Sequence, residues 1–226
     1  MNEKVLVALA LVPAIALCIK IYRHDKIEKE PLGLLVKLLI AGVVSAIIAI
    51  ILEIILENLL NRLVVEESLF KNFLLYFFVV GFSEEFAKYI MLKWASYKSK
   101  DFNFTFDAIV YSVFVAMGFA AFENVGYVLI YGFETGILRA LTAVPMHAVF
   151  GVFMGIYYAG SKLYQHNKRY KVLSVLVPML IHGTYDFIAS LNMEYSILIF
   201  IGFLVIIYAS ANSIINKSSR NDRYIS

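Results

Sequence analysis

The apolar positions of this 226-residue chain gather into seven long blocks, at about 4–20, 33–57, 70–94, 104–131, 138–160, 172–191 and 195–213. A run of about 20 apolar residues is the length a helix needs to cross a bilayer core of roughly 30 Å. None of the blocks alternates with period two, and each exceeds the length of a barrel strand, so all are expected to be helices. Short polar links separate them, with no internal repeat, low-complexity tract or soluble domain. The pattern predicts an all-α polytopic membrane protein. It forms one integral membrane domain over 1–226, a bundle of about seven transmembrane helices in contact with the lipid bilayer.

Composition points the same way. Hydrophobic residues make up 61% of the chain and charged residues 16%, where about a quarter is usual in soluble domains, and the mean hydropathy is +0.78. A net charge of +3 is spread over the links as no stripe that would suit nucleic acid. It does carry a topology signal. Lys20, Arg23, Lys26, Lys29, Lys93, Lys98, Lys100, Lys162, Lys168, Arg169, Lys171, Lys217, Arg220 and Arg223 fall on one side; Lys4, Arg62, Lys71 and Arg139 fall on the other. By the positive-inside rule the N-terminus lies outside and the C-terminus in the cytoplasm of a multi-pass protein of the cell membrane. The single cysteine, Cys18, permits no internal disulfide and no thiolate metal site. Bulky Leu17 argues against a lipoprotein signal ending at Cys18, and no A-x-A site follows the first run to mark a cleaved leader.

Charges inside the blocks need a reason, because each costs at least about 2.5–3.5 kcal/mol near the bilayer centre. In block three Lys88 follows Glu84 by four residues and Glu85 by three, so one helix face carries all three. A structural ion pair would need only one of the two glutamates. Block four holds Glu123 and Asn124 among aromatic and small residues. Block five holds His147 ahead of Gly151 and Gly155, a spacing that allows close helix packing. Block six holds His182 and, four residues on, Asp186, which can orient the imidazole. Glu53, Glu57 and Lys37 sit nearer the block ends and can snorkel. Ser83 and Ser112 have no evident base.

Four consecutive blocks therefore bring carboxylate or imidazole to mid-depth. Such groups activate water and stabilise an oxyanion, or bind a divalent metal whose water is the nucleophile. Glu123, His147 and His182 could supply three ligands, most plausibly to zinc, with Glu84 or Glu85 as base and Asp186 behind the ligands. Counted in from the outer ends of the blocks, these three residues lie about 8 to 10 residues deep, roughly 12–15 Å. The same charges could serve a proton- or ion-coupled transporter, though no inverted repeat or matched pair of broken helices accompanies them. A scaffold reading leaves the convergence of four helices on one chemistry unexplained.

Glu84-Glu85-Phe86-Ala87-Lys88, Phe119 to Glu123, and His182 to Asp186 resemble the EExxK, FxxxE and HxxxD motifs of the PrsW family. These are multi-pass bacterial membrane proteases distantly related to CAAX-prenyl endopeptidases and to bacteriocin-processing membrane proteases. The resemblance spans roughly residues 20–210, and His147 also resembles a family position. It implies an intramembrane peptidase whose catalytic residues are Glu84, Glu85, Lys88, Glu123, His182 and Asp186, with or without a metal. It further implies that the enzyme makes the first, extracytoplasmic cut in a single-pass, membrane-anchored anti-sigma factor during a stress response.

Overall fold

The structure, a computed structural model, describes residues 3–164, 167–191 and 193–225. The described residues form helices α1 (Glu3–His24), α2 (Leu32–Leu63), α3 (Leu69–Leu74), α4 (Phe82–Ser96), α5 (Asp107–Tyr131), α6 (Phe133–Leu141), α7 (Ala143–Leu163), α8 (Lys168–Ser190) and α9 (Ser196–Arg220). A π-helical segment, Leu75–Gly81, joins α3 to α4 without a break in the chain path. Among the described residues, six stretches are long and apolar enough to cross a membrane: α1, α2, α5, α6 with α7, α8 and α9. The third expected block, 70–94, is not among them. It is the composite of α3, the π segment and α4, and it carries Glu84, Glu85, Lys88 and Lys93 within α4.

Helix ends run beyond the apolar blocks, since polar residues tolerate helix once outside hydrocarbon. α2 continues to Leu63, past Asn58 and Arg62, and α9 continues to Arg220. The link expected between blocks four and five is largely helical, as α6. Its break from α7 falls at Thr142, three residues before Pro145. Proline has no N–H to bond the Leu141 carbonyl, so an uninterrupted helix is disfavoured there, whereas the first turn of a new helix accommodates it. His147 therefore sits only one turn into α7. The charged side chain of Lys4, counted with the outer-side cations, and the linker residue Asn192 lie outside the described residues.

α5 is the axis of the bundle. From Asp107 to Ala120 every side chain is buried, enclosed by α1, α2, α4 and α7. Two close approaches set the spacing. A Cβ on Gly118 would lie 2.1 Å from the Leu39 carbonyl oxygen, and one on Gly42 would lie 2.1 Å from that of Val115, so α2 and α5 touch backbone to backbone. α7 meets α5 at Gly151 and Gly155, the pairing their spacing predicts, and the Ser112 hydroxyl donates to the Gly151 carbonyl at 2.6 Å. Ser112 is thereby assigned to packing. On the far side, Gly81 and Gly183 let α8 lie against the π segment: a Cβ on Gly183 would come within 2.7 Å of the Phe77 ring. α9 buries only Ala211 and Ser219 and turns Ile197, Leu198, Val205 and Ile206 outward, a face suited to lipid.

Gly118→Ala places a methyl group where backbone stands and should destabilise the fold by about 1–3 kcal/mol or more. Gly202→Ala, in open space on α9, should be neutral or stabilising by up to about 1 kcal/mol. Thermal melts of the two purified variants in one detergent check this; equal melting temperatures would contradict the backbone contact. The orientation is tested by cysteine accessibility in a Cys18→Ser background. Cysteines at Asn61 and Phe133 should label from outside with an impermeant reagent, and those at Asn167 and Asn221 only after permeabilisation.

Candidate active site

The π segment delivers the chain into α4 so that Ser83, Glu84, Glu85 and Lys88 all face inward; Glu85 is 0% exposed and Lys88 1%. The i, i+3 and i, i+4 spacing does what the sequence predicts. Lys88 Nζ donates to Glu84 Oε2 at 2.9 Å and to Glu85 Oε1 at 2.8 Å. Its third contact comes from another helix, His147 Nδ1 at 3.1 Å. An ammonium has no lone pair, so this imidazole nitrogen must accept. The proton then sits on His147 Nε2, which donates to Glu123 Oε2 at 2.9 Å. Lys88 also lies over the face of Phe119, 3.9 Å from the ring centroid, a favourable placement for a desolvated cation.

His182 closes the other end of the network. Its Nδ1 is 3.0 Å from Glu85 Oε1 and its Nε2 is 3.1 Å from Asp186 Oδ2, and Phe150 stacks on the ring at 4.4 Å. With a carboxylate oxygen at each nitrogen, both contacts are donated at once only by the imidazolium. One polar chain thus runs Asp186–His182–Glu85–Lys88–His147–Glu123 across α8, α4, α7 and α5. Glu85 Oε2 is the loose end, buried without a hydrogen-bond partner.

A cleft of about 340 Å³ reaches this network between α2 and α5. It is lined by Glu84, Glu123 and Glu53, with Phe119, Phe122 and Tyr127 among its walls. The two α4 carboxylates therefore differ: Glu84 faces the cleft, and Glu85 is locked behind it. Glu84 thus meets the cleft from within the buried network, with Glu123 and its N–H partners on the same side.

A family model described as PrsW family intramembrane metalloprotease matches residues 30–211. The chain belongs to the PrsW family. It is 32% identical over 220 residues to Protease PrsW of Halalkalibacterium halodurans, covering 96% of this chain and 99% of that protein. To Protease PrsW of Shouchella clausii it is 34% identical, covering 95% and 97% respectively. To that of Bacillus subtilis it is 34% identical, covering 88% and 90%. No solved structure matches. Membership of PrsW, with the apolar helices, makes the chain a multi-pass membrane peptidase of the cell membrane.

The donors that stand closest together in this PrsW chain are not the three expected from the sequence. Among the described residues, the site's group with ligand atoms mutually within 4.8 Å is Glu84, Glu85 and His147, not Glu123, His147 and His182. The reason is directional. His147 reaches the α4 carboxylates through Lys88, His182 reaches them through Glu85, and Glu123 stands on the outer side of His147. Two carboxylates and an imidazole suit a divalent ion in donor type, and the orphaned Glu85 Oε2 leaves an oxygen free for one. Lys88 holds the same three donors and competes for them.

Arg139 at the network and Glu53 at the cleft are not expected from the sequence. Arg139, counted only as a topology cation, reaches from α6 to place Nη2 2.8 Å from Glu123 Oε2; its Nε donates to Asn124 Oδ1 at 3.3 Å. Glu53, assigned to snorkelling, lies ten residues before the end of α2 and faces the cleft. Lying well inside one of the longest helices, it carried a signal that length alone could have revealed. Arg139 had none beyond being the one cation close before His147.

Replacing Lys88 by Met leaves Glu84, Glu85 and His147 without their shared donor. Breaking a buried pair typically costs about 3–5 kcal/mol, so Lys88→Met should fall sharply in melting temperature. Lys88→Arg should restore little, because a planar fork cannot reach three converging acceptors. A Lys88→Met protein as stable as wild type would contradict the network.

Proposed function

We propose that this chain is an intramembrane endopeptidase making the first, extracytoplasmic-side cut in a membrane-anchored single-pass substrate of the anti-sigma-factor kind. The observation that carries the reading is the asymmetry of the glutamate pair, with Glu84 on the cleft and Glu85 wholly enclosed. Glu84 is the general base. It takes a proton from a water in the cleft, and the resulting hydroxide attacks the scissile carbonyl. The developing oxyanion is met by the guanidinium of Arg139, whose buried Nη2 is ion-paired to Glu123 but makes no hydrogen bond, while His147 holds Glu123 and Lys88 in place. The proton held by Glu84 then passes to the leaving amine as the C–N bond breaks. Water has been split between a new carboxyl and a new amine.

Lys88 and Glu85 position the base; His182, held by Asp186, positions Glu85. His182 thus acts behind the reacting atoms, since both its nitrogens are already engaged. A divalent metal held by Glu84, Glu85 and His147, zinc by donor type, would supply a Lewis acid and a bound water of lowered pKa. The anti-sigma substrate is what the family resemblance implies; the outward side of action follows the topology expected from the charge pattern, in which the cleft lies toward the outer ends of α2 and α5.

The test is cleavage of a single-pass substrate in reconstituted liposomes. Glu84→Gln should lower kcat about a thousandfold with the fold intact, and His147→Ala about a hundredfold or more. Asp186→Asn should lose less. Turnover of Glu84→Gln within a few-fold of wild type would sink the assignment, and a cut on the cytoplasmic side of the substrate would sink the proposed place of action.

A further inference from the structure

Three acidic side chains lie buried far from the protease site, at the end of the bundle that carries Lys20, Arg23, Lys26 and Lys29. Asp25 and Glu30 belong to the link between α1 and α2, and Asp107 opens α5. They are 1%, 4% and 1% exposed. Each offers a carboxylate oxygen within 4.8 Å of the other two. Among the described residues, no Lys, Arg or His nitrogen comes within 4.0 Å of any of these carboxylates. Lys29 is adjacent, but its ammonium donates to the backbone carbonyls of Tyr22 and Asp25.

Carboxylates this deeply buried are paired, protonated or bound to a cation. Two of the three are held as ligands are held from behind. The Tyr111 hydroxyl donates to Glu30 Oε2 at 2.5 Å, and Asp107 Oδ2 accepts the backbone N–H groups of Asn103 at 3.0 Å and Phe104 at 2.7 Å. The third is the independent sign. Asp25 Oδ2 is buried with no hydrogen-bond partner at all, on a carboxylate that itself comes within 4.8 Å of the other two.

We infer that Asp25, Glu30 and Asp107 form a second site, for a hard divalent cation, Mg²⁺ or Ca²⁺, which clasps the cytoplasmic ends of α1, α2 and α5. The all-oxygen donor set selects that class and disfavours zinc or copper, which want nitrogen or sulfur. Closure there reaches a third part of the chain. The loop before Asp107 holds the segment after α9: Asp222 Oδ1 accepts from Thr105 Oγ1 at 2.9 Å and from the Phe106 N–H at 2.8 Å.

A cation here competes with protons for the same carboxylate oxygens, so its effect should grow as pH rises.

The experiment uses the full-length protein, stripped with EDTA and melted in detergent with added Mg²⁺ or Ca²⁺ up to about 5 mM, a range that covers weak carboxylate sites. Wild type and Glu84→Gln should both gain about 2–4 °C at pH 7.5 and less at pH 5.5. The larger response identifies the preferred ion. Asp25→Asn and Glu30→Gln should lose the gain, yet melt no lower than wild type in EDTA, because the amides relieve repulsion. A gain that persists in both variants, or no gain in wild type with either ion, would overturn the inference. If the variants do not fold, Tb³⁺ added to wild type decides: tyrosine-excited emission should appear, be displaced by Ca²⁺ and fall in Tyr111→Phe. Emission unchanged in Tyr111→Phe, or absent from wild type, overturns the site.

Discussion

The site depends on one ammonium group with no water to solvate it. Lys88 is buried at the centre of the bundle and directs its three donor positions to Glu84, Glu85 and His147. Desolvating a lysine is expensive, and its return here is geometric more than energetic. Three acceptors on two helices are drawn to a single nitrogen, fixing the rotamers of both α4 glutamates and the tautomer of His147. From that tautomer follows the N–H aimed at Glu123, and from the fixed Glu85 follows the ring orientation of His182. A local charge decides the hydrogen-bond sense of four helices.

The packing that makes this possible is supplied elsewhere by the absence of side chains. Gly81 and Gly183 bring α8 close enough for His182 to reach Glu85, and Gly151 and Gly155 seat α7 on α5 so that His147 faces inward. In lipid no hydrophobic drive separates helix from solvent, and close van der Waals approach with shared hydrogen bonds takes its place. The small residues and the charged ones therefore work as a set.

What could be read in the sequence was what a single helix encodes. Glu84, Glu85 and Lys88 share a face because of their spacing, as do His182 and Asp186, and both contacts exist. Helicity, membrane embedding and the family were legible for the same reason, from run length and three short motifs. Relations between helices were not legible. Nothing local to Arg139 indicates that α6 would carry it to Glu123, and nothing local to Glu53 indicates that it would share a cleft with α4 and α5. The grouping of metal donors belongs to the same level: residue types can be read from a sequence, but which nitrogen faces which oxygen is decided by the directions from which the helices arrive.

The contact of Gly42 with α5 and of Gly118 with α2 has a mechanical meaning. Two helices touching backbone to backbone cannot slide together or part at that point, so it serves as a fulcrum. The cleft lies wholly on one side of it, between Ala46 to Glu53 of α2 and Phe119 to Tyr131 of α5. α2 extends as a lever to Leu63, roughly 30 Å beyond Gly42 at 1.5 Å per residue. A tilt of about 5° would swing that tip by about 3 Å and widen the cleft at Glu53 by about half as much. The Leu32 end, about 15 Å on the other side of Gly42, would swing the opposite way by about 1.3 Å. Such a lever would admit a strand from the bilayer laterally while the polar chain from Asp186 to Glu123, none of whose members lies on α2, keeps its register.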